Sequence, residues 1–356
     1  MNFIRPGRYK LLYVVLLITG LLSCSKRGID PDVPDGNIPM AFTTFVDWGV
    51  KSNSLVNNTD DLQAYPISIL AKATVNGNEH AVFNNDRLYY SDGEWKYDMT
   101  RYWILDAKYS FAAFAPFAST DDYDGGNKLS NGTVSFSGGA SPVLTIEGYN
   151  TILNQGSPAT DARSEDLMVA HYVRDNTSSK DYSAVLLNFE HILSCVTFSI
   201  RNTTNTDITK LSEIRLSGLK YMCDITLDET TVSVEPDADT STPVPVTSAD
   251  RMPETGATSF LPKGMSENDY KPLFDCEILT LLPQILYERN DIYLTFKVHR
   301  GSPNNDVKTY SLNLGDIEEI RDWKAGKKYD YTISITSTDI LFQVVEVPWI
   351  EHDVEL

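Results

Sequence analysis

Apolar residues recur at every second position through much of this chain, and the three-to-four residue spacing of a helix is scarce. Ile292, Leu294, Phe296 and Val298 alternate with Tyr293, Thr295 and Lys297. Tyr329, Tyr331, Ile333 and Ile335 alternate with Asp330, Thr332 and Ser334. The same holds for Val185, Leu187 and Phe189, for Val196, Phe198 and Ile200, and for Tyr109, Phe111 and Ala113. A period of two sends successive side chains to opposite faces of a sheet. Gly, Asn, Asp and Pro stand between the runs and supply turns. Many short strands of this kind specify an all-β chain built of sandwiches. Any helix is expected to be short, with Leu312–Arg321 a candidate for a turn or two.

The 356 residues suffice for two such units. The polar stretch RDNTSSKDY at 174–182 divides them, giving an expected N-terminal β-sandwich over 38–180 and a C-terminal one over 181–356. Residues 235–259, rich in Thr, Pro, Asp and Ser, read as a long loop within the second. One echo links the halves. Trp103 precedes the strand Lys108–Phe114, and Trp323 precedes the strand Lys328–Ile335.

The N-terminus carries Arg5, Arg8 and Lys10, then a mostly apolar run from Leu11 to Leu22. That is a signal-peptide pattern, too short for a comfortable membrane span. Its end, Leu21-Leu22-Ser23-Cys24, resembles a bacterial lipobox, in which the cysteine thiol is lipidated and the chain is cut just before it. Residues 1–23 are then the signal peptide, Cys24 the lipidation site and the outer membrane its partner. The Pro- and Asp-bearing residues 24–37 read as a flexible linker.

Net charge is −19, and the stretch before Cys24 holds three of the basic residues, so the remainder is more acidic still. Such a chain repels nucleic acid and anionic lipid. Beyond Cys24 lie Cys195, Cys223 and Cys276, an odd number that allows at most one disulfide. Buried, unreactive thiols are expected, with a Cys195–Cys223 bridge as the alternative. No metal motif fits the spacings of the cysteines or of the five histidines. No nucleophile elbow, phosphate loop or dinucleotide fingerprint is present. Asp60-Asp61 and Asp121-Asp122 read as turn residues, and DDYDGGN at 121–127 lacks the pattern of a calcium loop. The expectation is no enzyme, no metal and no cofactor. Trp48, Trp95, Trp103, Trp323 and Trp349 read as core residues rather than a sugar-stacking platform.

Six stretches in order resemble the fimbrillin-like or Mfa-like family of Bacteroidetes. YWILDAKYSFAAFAPF (102–117) carries Tyr109, Phe111, Ala113 and Pro116 in that family's pattern. SEDLMVAHYV (164–173) is similar to its Asp-Leu-Met turn. VLLNFEHILSCVTFSI (185–200) resembles its Phe-x-His strand pair through Phe189, His191 and Val196. LTLLPQ (279–284) supplies Pro283 and Gln284, WKAGKKYDYTISI (323–335) supplies Trp323, Gly326, Tyr329 and Tyr331, and VPWIE (347–351) resembles the closing Pro-Trp.

The resemblance implies two tandem transthyretin-like β-sandwich domains and a structural or adhesive subunit of a type V fimbria: stalk, tip or anchor. It implies export as an outer-membrane lipoprotein, proteolytic removal of the first strand, and insertion of a strand from another pilus subunit into the vacated groove. Ile38–Val46 is the candidate first strand and Lys51 the candidate cleavage site, where polymerising relatives often carry an arginine. The apolar tail within 340–356 is the candidate donor strand, equally readable as an ordinary central strand. A host or bacterial surface ligand is the expected adhesive partner. A non-polymerising, glycan-binding surface lipoprotein is the alternative.

Overall fold

The computed structural model describes residues 38–46, 59–118, 129, 131–137, 142–151, 165–228, 231–237, 245–276, 278–287, 289–301 and 306–348. Strands are numbered along the chain. One sheet has seven strands in the order β1 (Phe42–Val46), β9 (Val185–His191), β8 (Met168–Asp175), β5 (Lys108–Ala115), β2 (Ile67–Val75), β3 (Asn78–Ser91) and β4 (Glu94–Lys96). A four-stranded sheet of β13 (Val232–Pro236), β12 (Met222–Leu227), β7 (Val143–Asn150) and β6 (Thr133–Ser137) packs against one of its faces.

A second group follows. Its five-stranded sheet runs β15 (Lys271–Pro272), β10 (Ser194–Asn202), β21 (Lys327–Ile335) and β22 (Ile340–Pro348), with β16 (Leu279–Leu281) also on β10. The opposing four-stranded sheet runs β14 (Val246–Thr247), β11 (Ile208–Ser217), β18 (Tyr293–Arg300) and β19 (Asp306–Asn313). The pair β17 (Gln284–Ile285) and β20 (Asp322–Trp323) stands beside them. Among the described residues helix is confined to α1 (Thr59–Leu62) and a 3₁₀ turn at Leu314–Asp316, the latter inside the expected stretch.

The seven-stranded sheet curls until its two end strands meet: Trp95 of β4 donates its indole N–H to Thr44 Oγ1 of β1 at 3.0 Å. The curl encloses a core of Phe42, Phe83, Trp103, Tyr109, Phe111, Leu187 and Phe189, among others. Its outer face buries Leu70, Ala112, Phe114 and Val169 against Leu144, Ile146, Tyr149, Ile225 and Leu227. β5 is therefore covered on both sides, which is why its polar alternation is lost and it reads Tyr-Ser-Phe-Ala-Ala-Phe-Ala. The third core, around Val196, Phe198, Leu294, Phe296, Trp323 and Tyr331, lies in the second group.

The chain passes between the groups at residues 192–193, again at 218–221, and again between β13 and β14. A division at residue 180 therefore separates β9, β12 and β13 from the sheets whose hydrogen bonds they complete. The polar stretch 174–182 is a loop between neighbouring antiparallel strands, β8 and β9. Composition marks a loop there, but cannot say whether the next strand returns to the same sheet.

The first two crossings are pinned by buried polar contacts. At 192–193, the Nδ1–H of His191 donates to Asp166 Oδ1 at 2.8 Å, with both side chains buried. Ser194 Oγ donates to Lys324 O at 2.9 Å, and Gly326 N donates to Leu193 O at 2.9 Å. At 218–221, Gln284 Oε1 accepts from Lys220 N at 3.0 Å and its Nε2 donates to Lys220 O at 3.2 Å. Arg289 Nη2 donates to Gly218 O at 2.6 Å. Gly218 has φ +81°, and a Cβ there would lie 1.8 Å from Asp291 O, so no other residue fits without displacing the β18 entry.

The echo between halves is a shared structural element. In both, the residue three after the tryptophan has positive φ: Asp106 at 50° and Gly326 at 64°. In both, the tyrosine six after it receives the backbone N–H of the residue following the tryptophan. Tyr109 Oη accepts from Ile104 N and donates to Ile104 O; Tyr329 Oη accepts from Lys324 N at 2.9 Å. Burial pushes both phenols up to about 12.

Candidate functional site: the first strand and its groove

Segment 38–46 behaves as a stave set into the wall of the curled sheet. Along one side β1 pairs in parallel with β9, Phe42 opposite Val185 and Val46 opposite Phe189, and Val185 N donates to Ala41 O at 2.8 Å. Along the other, Met40 N donates to Arg101 O at 2.8 Å and Trp103 N to Ile38 O at 3.0 Å, with Pro39 bridged to Tyr102. Tyr97 adds its hydroxyl, donated to Met40 O at 2.7 Å, and burial pushes that phenol up.

Inward, Met40, Phe42 and Val46 are buried. Phe42 meets Phe83, Tyr97 and Phe111 edge-on at ring-centroid distances of 5.5, 5.9 and 6.2 Å. These are ordinary attractive aromatic geometries. Full burial of three such side chains contributes about 1.5–3 kcal/mol each. The wall on the β9 side is held by Arg174, itself buried. Its guanidinium donates to Ser183 O at 2.6 Å, Asp181 O at 3.3 Å and Ala184 O at 3.3 Å, and lies 5.0 Å from the Trp103 ring centroid. The candidate first strand Ile38–Val46 contains β1, which is shorter, Phe42–Val46, preceded by the isolated bridge at Pro39; Arg174, Tyr97 and Thr44 were not legible. An arginine in a strand pattern reads as solvated, and nothing local distinguishes this one.

Removing the stave would expose the β9 edge, the carbonyl of Arg101 and the N–H of Trp103, together with an aromatic-lined slot. An open edge beside apolar pockets is a template for another strand.

The tail strand β22 pairs antiparallel with β21 and ends its sheet among the described residues. Ile340, Phe342 and Val344 pack against the third core, while Leu341 and Val345 are 61% and 56% exposed. β22 is thus an edge strand with apolar residues on both faces, not the central strand that its composition also allowed. Cys24, Lys51, the segment 121–127 and residues 349–356 lie outside the described residues.

The three later cysteines are free. Cys223 belongs to the core between the first two sheets and Cys276 packs against the third core, so the alternative Cys195–Cys223 bridge is not formed. Burial pushes all three thiols up, to about 12 for Cys223 and Cys276. Among the described residues no group of His, Cys, Asp and Glu is placed to hold a metal ion. Trp95, Trp103 and Trp323 are buried, so they form no sugar-stacking face. No described helix is long and apolar enough to cross a membrane.

The described chain is all-β, with a closed-in first strand and an apolar edge strand in β22. A model of the fimbrillin-like family matches residues 56–349, and the chain belongs to that family. Its members' character is structural and non-enzymatic. Comparison with curated proteins gives no match. Among solved structures, a fimbrial protein from Bacteroides vulgatus shares the fold at TM-score 0.53 and 16% identity, covering 87% of this chain and 99% of that one. Candidate cell adhesion proteins from Bacteroides uniformis (14% identity, TM-score 0.48, 87% of this chain and 99% of that one) and Bacteroides ovatus (13%, 0.48, 88% and 99%) are also similar.

Proposed function

We propose that this chain is a fimbrial subunit of the cell surface, exported as an outer-membrane lipoprotein through Cys24 and assembled by strand exchange. Proteolysis after Lys51 removes the segment that includes β1, and a strand from another subunit takes its place. One observation carries the reading. Segment 38–46 is a discrete stave held by backbone bonds on both sides, and its loss leaves a groove that only another extended strand can satisfy.

The tail is the proposed donor. The stave presents Met40, Phe42 and Thr44 inward; β22 offers Ile340, Phe342 and Val344 at the same spacing. Phe342 would fill the slot of Phe42. Val344 would replace Thr44 and leave the Trp95 indole N–H without its acceptor, so a partner with a hydroxyl at that position fits better.

The test is the mass of the native N-terminus in outer-membrane and shed-fimbria fractions. Chains beginning at Ser52 in high-mass polymer are expected, beside acylated Cys24 in the precursor. A polymer whose chains all begin at acylated Cys24 would overturn the strand-exchange reading.

A further inference from the structure

The stave has an outer face as well as an inner one. Pro39, Ala41, Thr43 and Phe45 point outward and are exposed, Phe45 by 37%. On one flank stands Tyr102, bridged to Pro39 and 48% exposed; on the other stands Leu186, opposite Thr43 and 48% exposed. None of these six residues is charged. Met99 and Ile104 are also exposed in the first group; in the second, Met252, Ile285 and Val307 are dispersed, and Leu341 and Val345 share the edge strand β22.

We infer that this face is a membrane-docking surface, its partner a zwitterionic lipid headgroup layer. The inference rests on the reading that Cys24 is acylated. The chain enters the described fold at Ile38, at the Pro39–Tyr102 end of the apolar face. The stretch from Cys24 to Ile38 spans at most about 50 Å even fully extended. An acyl chain in the bilayer therefore holds this end of the molecule close to the lipid surface and raises the local concentration of the face there. Aromatic and aliphatic side chains without charge favour the interface. The net charge of −19 disfavours an anionic surface, which selects phosphatidylethanolamine-type lipid over anionic lipid.

The arrangement has a consequence for processing. Pro39, Ala41, Thr43 and Phe45 lie on the segment that cleavage after Lys51 would remove. One cut would detach the acyl chain and dismantle the apolar face together.

The test uses the full acylated chain in phosphatidylethanolamine vesicles doped with a diazirine-bearing phospholipid, with adducts mapped by mass spectrometry after illumination. Adducts should concentrate on the peptides containing Phe45, Tyr102 and Leu186, severalfold above those containing Met252, Ile285 and Val307. The double variant Tyr102→Ser, Leu186→Thr changes only exposed side chains, so it should unfold at the same denaturant concentration. Its transfer between vesicles should be roughly tenfold faster. Equal labelling of both sets of peptides would overturn the inference, as would peptides containing Tyr102 and Leu186 that carry no lipid adduct. The same spectra report the N-terminal peptide. A Cys24 without acyl groups removes the lipoprotein reading itself, and an acylated Cys24 with an unlabelled stave removes only the docking face.

Discussion

Trp323 donates its indole N–H to the hydroxyl of Tyr331 at 2.9 Å, with the rings 6.5 Å apart at 73°. In the other half Trp103 and Phe111 keep the same relation, 6.1 Å at 73°, but Phe111 has no hydroxyl. The buried indole nitrogen of Trp103 is left without an acceptor. The Trp-to-Tyr element thus recurs with its geometry intact and one polar contact missing.

Tyr331→Phe should cost about 1–3 kcal/mol, because it strands a buried N–H. Phe111→Tyr should stabilise by about 0.5–1.5 kcal/mol by supplying the absent acceptor. Denaturant midpoints measure both. A destabilised Phe111→Tyr would mean that the two elements are not equivalent at that position.

Asp166→Leu removes the acceptor of a buried imidazole N–H at the first crossing between sheet groups. A loss of about 3 kcal/mol is expected, and Asp166→Asn should lose much less because an amide oxygen still accepts. Equal effects from the two variants would show that the hydrogen bond contributes little.

Gln284→Ala frees both backbone groups of Lys220 that the amide holds. The expected cost is about 1–3 kcal/mol. Hydrogen exchange should rise at 218–220 before it rises in β11 or β12, since Gln284 and Arg289 hold that part of the crossing while Thr151 holds Tyr221 O.

Phe42→Ala empties the aromatic slot of the stave and should cost about 3–5 kcal/mol. Because β1 is an end strand, that loss should appear first as protease access at 38–46, with β2 and β5 still protected. Global unfolding without such a stage would argue against a separable stave.

Tyr109 and Tyr329 have phenols raised to about 12 in the fold, above an ordinary value of 10. The folded state disfavours the phenolate, so this contribution is whole below pH 10 and is lost as pH rises from 10 through 12. Unfolding free energy should therefore fall between pH 10 and 12, and Tyr109→Phe should flatten the fall. A slope unchanged in that variant would assign it to other groups.

The stave was legible in IPMAFTTFV, where Met40, Phe42 and Val46 are apolar inward residues separated by even steps, and the tail in ILFQVVEV as a run apolar on both faces. The tryptophans of the Trp-to-Tyr element were legible as an echo, each standing before a strand. Arg174 was not, since its burial depends on carbonyls of residues 181–184 and on the Trp103 ring, brought together only by the β8–β9 turn. His191 read as structural, and its partner Asp166 was one residue of a separate motif, 25 positions earlier.

By itself the sequence determined which segments are strands and which of their faces are apolar, because side-chain alternation is a local property of an extended backbone. It could not determine neighbours. The parallel pairing of β1 with β9 joins residues 143 apart, Phe42 to Val185, and the return of β12 to β7 crosses a boundary that composition places elsewhere. Strand partners are chosen by which apolar faces close a common core, and a period of two is compatible with many partners. Only the tertiary structure decided that β5 is covered on both sides, that β22 is an edge, and that the first strand is a stave between two walls that no local pattern connects.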